Sequence, residues 1–196
     1  MRPKPLAIFP ILALFLLLLL PLSACSAEQS ARDQVRELQE RFQTSTQRFS
    51  AHITADYGEL VYEFTLRFDS AAGTLEVLAP DILAGISIGI SESGTVLHYE
   101  GAMLNTGPLT EDGLSPLAAL PAIVRQWREG FVTQAHYETF QGIPVVVMTS
   151  HISDHVLHMT RFDRETGIPV QAEIVAEGFV VLSCIFEGSP LFSPLG

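Results

Sequence analysis

Positive charge is what this chain has least of. Lys4 is its only lysine, and 11 basic residues in all face 22 acidic ones, for a formal net charge of −11. No basic cluster exists to neutralise phosphates, which excludes nucleic-acid binding and leaves charge-driven adhesion to an anionic bilayer unsupported. Cysteine is scarce as well: Cys25 and Cys184 are the only two, too few for a disulfide framework. Cys184 sits in the run Phe179-Val-Val-Leu-Ser-Cys-Ile-Phe186 and reads as a small buried hydrophobe, with an intermolecular disulfide as the alternative. Catalytic signatures are missing too. There is no P-loop, dinucleotide fingerprint, H-E-x-x-H helix or EF-hand loop, and Glu111-Asp112 reads as part of a solvated loop. The expectation is a non-enzymatic protein without metal or cofactor.

The start of the chain is richer. Arg2 and Lys4 precede an apolar stretch from Leu6 to Leu20, broken by Pro21 and followed by Leu22-Ser-Ala-Cys25. A positive start, a short apolar run and small residues before a cut describe a secretory signal. The run is shorter than the roughly 20 apolar residues of a spanning helix and carries Pro10. Leu-Ser-Ala-Cys resembles the lipobox, in which the cysteine after the cut carries a diacylglyceryl thioether and a further acyl group such as palmitate. Two or more acyl chains hold a protein on a membrane stably. The reading is therefore a signal peptide over 1–24, with Cys25 as the lipid attachment point facing outside the cytoplasm. Polar Ser26 to Arg32 is read as the rest of a tether over 25–32. Without Arg2 and Lys4, nine basic residues face 22 acidic ones, a formal charge of −13.

Beyond the tether the pattern is first helical, then strand-like. Ser30-Ala-Arg-Asp33 resembles a capping box, and Val35, Leu38 and Phe42 follow at spacings of three and four, predicting a helix from Ala31 to Gln43. The period then becomes two. Phe49 to Tyr57 and Leu60 to Phe68 alternate apolar and polar residues on either side of Gly58, predicting a hairpin. Leu75–Leu78, Ile86–Ile90, Thr95–Tyr99 and Ala102–Asn105 continue a meander. Ser115-Pro116 starts a helix whose apolar stripe is Leu117, Leu120, Ile123, Val124 and Trp127, kinked or split at Pro121. Strands are expected again at 131–140, 145–150, 156–163, 170–176 and 179–186. The sum is a mainly β (α+β) domain over 33–187 with a loose tail over 188–196. Its sheet is single, curved and antiparallel, of about eleven strands, an incomplete β-barrel with an N-terminal helix and an inserted lid helix, because so wide a sheet must curl and cover one face.

Two groups of residues invite a functional reading. His151, His155 and His158 could share a helical face around zinc, but the surrounding alternation is that of a strand, and solvated hairpin histidines are expected. The apolar stripe Tyr62, Phe64, Leu66, Phe68, Ile86, Ile88 and Ile90, faced by Leu120, Ile123, Val124 and Trp127, has two readings. It is a filled core, or it lines a cavity for an acyl chain, whose burial contributes about 12 kcal/mol gross for ~16 carbons.

The leading helix, Phe49-Ser-Ala-His-Ile-Thr-Ala-Asp56 running into a long hairpin, the helical insertion and the closing hairpin together resemble the LolA/LolB-like lipoprotein-localisation superfamily. Tyr62-Glu-Phe-Thr-Leu-Arg67, Asp112-Gly-Leu-Ser-Pro116, Trp127-Arg-Glu-Gly130 and Glu165-Thr-Gly-Ile-Pro169 are similar to lipobox-bearing members of spore-forming Gram-positive bacteria, including spore-germination lipoproteins. The resemblance implies a half-barrel that binds a lipid or a lipoprotein acyl chain. Its alternative is a non-catalytic module docking or activating an envelope partner such as a cell-wall hydrolase. The lipobox departs from the soluble carrier, since a tethered protein cannot ferry cargo between membranes.

Overall fold

The computed structural model describes residues 27–44, 48–56, 61–69, 72–91, 94–107, 114 and 116–187. Cys25, the signal segment and the tail lie outside them. Helix α1 (residues 27–43) comes first. Six strands follow: β1 (Arg48–Asp56), β2 (Val61–Asp69), β3 (Ala72–Ala79), β4 (Ser87–Ser91), β5 (Gly94–Tyr99) and β6 (Ala102–Gly107). Helix α2 (Pro116–Glu129) is inserted next. The chain ends with β7 (Val132–Phe140), β8 (Ile143–Ser153), β9 (Val156–Asp163), β10 (Pro169–Ala176) and β11 (Phe179–Glu187). All strands join one antiparallel sheet in the order β6-β5-β4-β3-β2-β1-β11-β10-β9-β8-β7. The two ends of that order, β6 and β7, do not pair with each other, so the sheet is mainly β and curved without closing into a barrel.

Alternation in the sequence becomes two faces in the sheet. In β9 buried and half-buried residues strictly alternate, as the period of two requires. Leu66, Leu75 and Ile88 stand opposite one another on neighbouring strands and are 0–1% exposed. On the same concave side, Ala31, Val35, Leu38 and Phe42 of α1 and Ala119, Leu120, Ile123, Val124 and Trp127 of α2 join the sheet's inward residues in one core. The cover is thus shared by two helices, whereas the sequence pattern pointed to α2 alone.

Two boundaries differ from expectation for clear reasons. α1 begins at residue 27, so residues 27–32, expected as tether, are helical. Ser30 is not its cap: the hydroxyl lies 3.1 Å from the Tyr137 hydroxyl on β7. Arg32 pairs with Glu28 at 3.0 Å and donates to the Thr133 carbonyl at 3.1 Å, pulling this turn onto the sheet. α2 runs unbroken through Pro121. A proline there removes a single helical donor, and the buried residues on either side outweigh that loss.

The turn from β9 to β10 fits α1 closely. Asp163 Oδ1 accepts from the Glu165 and Thr166 amides at 2.9 and 2.7 Å, and Gly167 takes φ +73°. A Cβ at Gly167 would stand 2.6 Å from Leu38 Cδ2, a side chain only 4% exposed. Gly167→Ala should therefore lower the unfolding free energy by about 2 kcal/mol or more, through left-handed strain and overpacking. Gly142→Ala, with φ +84° and open space around it, carries only the strain of ~1 kcal/mol. Urea unfolding checks the pair, and equal midpoints would refute the close seat of α1.

Candidate functional site on the concave face

One row of side chains crosses the concave face from covered to bare. Leu66, Leu75, Ile88, Leu97 and Leu104 are consecutive register partners on β2 to β6. The first three are buried, Leu97 is half-buried and Leu104 is 61% exposed. A parallel row runs Phe64, Val77, Ile86 and Tyr99, going from 0% exposure at Phe64 to 41% at Tyr99. The helices therefore fill the concave side over β7–β11 and β2–β4, and leave an apolar strip along β5 and β6.

The covered part is packed around Trp127, which is 0% exposed. Its ring centroid lies 5.5 Å from Phe42, 5.9 Å from Phe162 and 5.5 Å from Phe186, spacings at which aromatic pairs attract. Its indole N–H donates to Thr160 Oγ1 at 2.9 Å. The Thr160 hydroxyl lies 2.6 Å from His158 Nε2, and His158 Nδ1 lies 3.1 Å from Ser150 Oγ. Thr160 already accepts from the indole, so its O–H is free to donate to Nε2, and Nδ1–H then donates to Ser150. Ser150, His158 and Thr160 are all 0% exposed. This chain of bonds spares each group the penalty of burial without a partner. Burial pulls the His158 pKa down from 6.5 to about 3, so the ring is neutral.

His158 corrects the expectation of three solvated histidines. His151 and His155 are exposed, while His158 faces the core because it pairs with Ser150 and Ile174 on the inward rows. Among the described residues no group of three His, Cys, Asp or Glu side chains could hold a metal. The Ser150–His158 pair has no solvent access, so it reads as structural. Cys184 is buried, and burial raises its thiol pKa. On the convex face Arg161 bridges Glu138 at 2.6 Å and Glu173 at 3.1 Å and lies 5.1 Å from the Phe140 ring centroid. That ion network lies over Val145 and Val147 and again reads as structural.

The residues expected to line a cavity come together. Tyr62, Phe64, Leu66, Ile88, Leu120, Ile123, Val124 and Trp127 share one cluster, with Ile86 and Ile90 packed against it; the Phe68 side chain lies outside the described part. Phe64, Ile88 and Trp127 are 0–1% exposed. A void large enough for water would leave accessible surface on its lining, so these three face packed atoms. Phe42, Phe162 and Phe186 belong to the same nest; the sequence marked Phe42 only as part of the first helix's apolar stripe and did not single out the other two, although the alternation in β9 and β11 carries their signal. Three shallow grooves of about 510, 470 and 330 Å³ flank α1, and none touches the stripe.

One end of the sheet is apolar. Val61, Leu78, Ile82, Tyr99, Met103, Leu104, Phe131, Phe179, Val180 and Val181 are exposed, Ile82 at 84% and Phe179 at 75%. In this antiparallel order all ten lie at the strand ends and turns of the same side. Only Leu114, among the exposed large apolar residues described, falls elsewhere.

No protein-family model matches the sequence, and neither does any curated protein. Among solved structures, an uncharacterized conserved protein from Thermus thermophilus superposes with a TM-score of 0.56 at 11% identity, over 83% of this chain and 89% of that one. MucB superposes with a TM-score of 0.51 at 14% identity, over 81% of this chain and 57% of MucB. What they share is the fold. A LolA superfamily protein from Nitrosomonas europaea aligns at a TM-score of 0.44 and 10% identity, over 85% and 94% of the two chains, a likeness too loose to bear weight.

The neutral, buried His158 makes stability depend on pH. Unfolded, the ring takes a proton below about 6.5 that the folded chain refuses until about pH 3. Its contribution is whole above pH 6.5 and falls with pH through that window, by up to ~1.4 kcal/mol per unit. His158→Gln should flatten the unfolding free energy between pH 6.5 and 4 relative to the parent. Parallel curves would contradict the assignment.

Proposed function

We propose that this protein is a membrane-tethered, extracytoplasmic binding module that holds an acyl chain of a lipid or lipoprotein against its concave face. In this reading residues 1–24 are a signal peptide, Cys25 carries the lipid, the half-barrel hangs from it and residues 188–196 are a tail. The observation that carries the reading is the row from Leu66 to Leu104, apolar at every strand it crosses, whose exposure rises from 0% to 61%. Leu97, Tyr99 and Leu104 form the bare strip, and Ile86, Ile88 and Ile90 continue it toward the core. Acyl chains need apolar area and no charged anchor, which suits a lysine-poor, acidic chain. Trp127 and its neighbours then serve as the packed floor, unless α2 moves. Among the described residues no helix is long and apolar enough to cross a membrane, so the proposed anchor is the lipid.

A second reading, docking of an envelope protein such as a cell-wall hydrolase, is favoured by the apolar end of the sheet. MucB, similar in fold, has been solved in complex with MucA(peri).

Mass spectrometry of apolar extracts tests the first reading on the purified, unlipidated chain from Ser26. An acyl lipid should co-purify, and Leu104→Asp should cut its recovery about tenfold while Trp127 emission stays unchanged. Recovery of nothing apolar from the parent chain would count against acyl binding.

A further inference from the structure

The turns at the apolar end of the sheet are acidic. They hold Asp81, Glu100, Asp154 and Glu177, all four exposed. His155 is the only basic-capable side chain in those turns. Arginines adjoin this end at β7, where Arg32 and Arg36 of α1 line one groove with Glu129 and Phe131, and Arg125 and Arg128 stand in the last turns of α2; the acidic turns lie on the other strands. The opposite end differs: its described turns hold Gln141-Gly142 and Arg164-Glu-Thr-Gly167, and no exposed large apolar residue stands in them. One end is therefore apolar and acidic, the other polar and mixed.

We propose that this end docks a basic, amphipathic segment of a partner protein, with Ile82, Phe179 and Met103 taking its apolar side chains and Asp81, Glu100 and Glu177 facing its cations. The proposal rests on the second reading above and not on the acyl-chain strip. Patches of this kind, apolar and set among charges, mark interaction sites. Charge decides among the occupants. An anionic bilayer and a second copy of this acidic chain would both bring like charge against the four turn carboxylates, whereas a cationic segment brings the complement. Val61 and Leu78 on adjoining strands extend the apolar arc between Ile82 and Phe179, so a segment several turns long would remain in contact along it.

The test uses the full chain in phosphatidylcholine nanodiscs, with empty discs subtracted. Two labelled peptides serve as probes, four repeats of Leu-Arg-Arg-Leu and four of Leu-Glu-Glu-Leu, followed by fluorescence anisotropy. The basic peptide should bind at least tenfold tighter than the acidic one and weaken as salt rises. Ile82→Ser with Phe179→Ser should weaken it about tenfold, and Asp81→Asn with Glu177→Gln severalfold; these exposed sites leave the core alone. Equal binding of the two peptides, or variants that bind like the parent, would overturn the proposal. So would variant-sensitive capture of phosphatidylglycerol vesicles, which assigns the end to a bilayer, or variant-sensitive pairing of discs in sedimentation, which assigns it to a second copy. Lipid recovery from the same two double variants separates the readings: loss of peptide binding with recovery unchanged bears on this end alone.

Discussion

An antiparallel sheet of eleven strands can bury one face only against something laid across it, and this chain has little to lay there. At ~4.8 Å per strand the sheet would be about 50 Å wide if flat. Helices of 17 and 14 residues are about 25 and 21 Å long. Curvature makes up part of the difference by bringing β2–β4 and β7–β11 toward the same two helices. What remains uncovered is the strip at β5 and β6. The bare strip thus follows from arithmetic on the elements rather than from any special residue in it.

The two edges of the sheet show how the same shortage is shared out. α1 reaches β7, where Ser30 meets Tyr137 and Arg32 holds the Thr133 carbonyl, so that edge is guarded. β6, with Met103 and Leu104 exposed, has no helix over it among the described residues. Exposed apolar edges are a hazard for association, and their retention here fits a protein that binds something at this side. Trp127 anchors the covered part by shape and by a hydrogen bond at once. Removing that side chain would leave a cavity costing about 3–5 kcal/mol and take from Thr160 Oγ1 the indole donor it accepts from.

Much of this was legible in the residues. Period-two runs located the strands because each strand has a wet face and a dry one, and Tyr62, Phe64 and Leu66 fell on the dry face as their alternation required. Ser115-Pro116 and the stripe through Trp127 marked the inserted helix for equally local reasons. The misses are nonlocal. His158 looked solvated because a neighbouring turn and two exposed histidines surround it in sequence; its burial depends on Ser150 and Ile174, eight and sixteen residues away. The early start of α1 depends on Tyr137 and Thr133, more than 100 residues distant. Nor could alternation say where cover stops, since Ile88 and Leu104 carry the same signal and differ only in what lies above them.

Thiol labelling along that row tests the account most directly. Ile88, Leu97 and Leu104 are replaced singly by cysteine in the chain whose own Cys184 is buried, and maleimide reaction is timed under native conditions. The account predicts a graded series: Leu104→Cys reacting at close to the rate of a free thiol, Leu97→Cys more slowly, and Ile88→Cys only on unfolding. Equal rates at the three positions, or fast reaction at Ile88→Cys, would contradict a concave face filled on one side and open on the other.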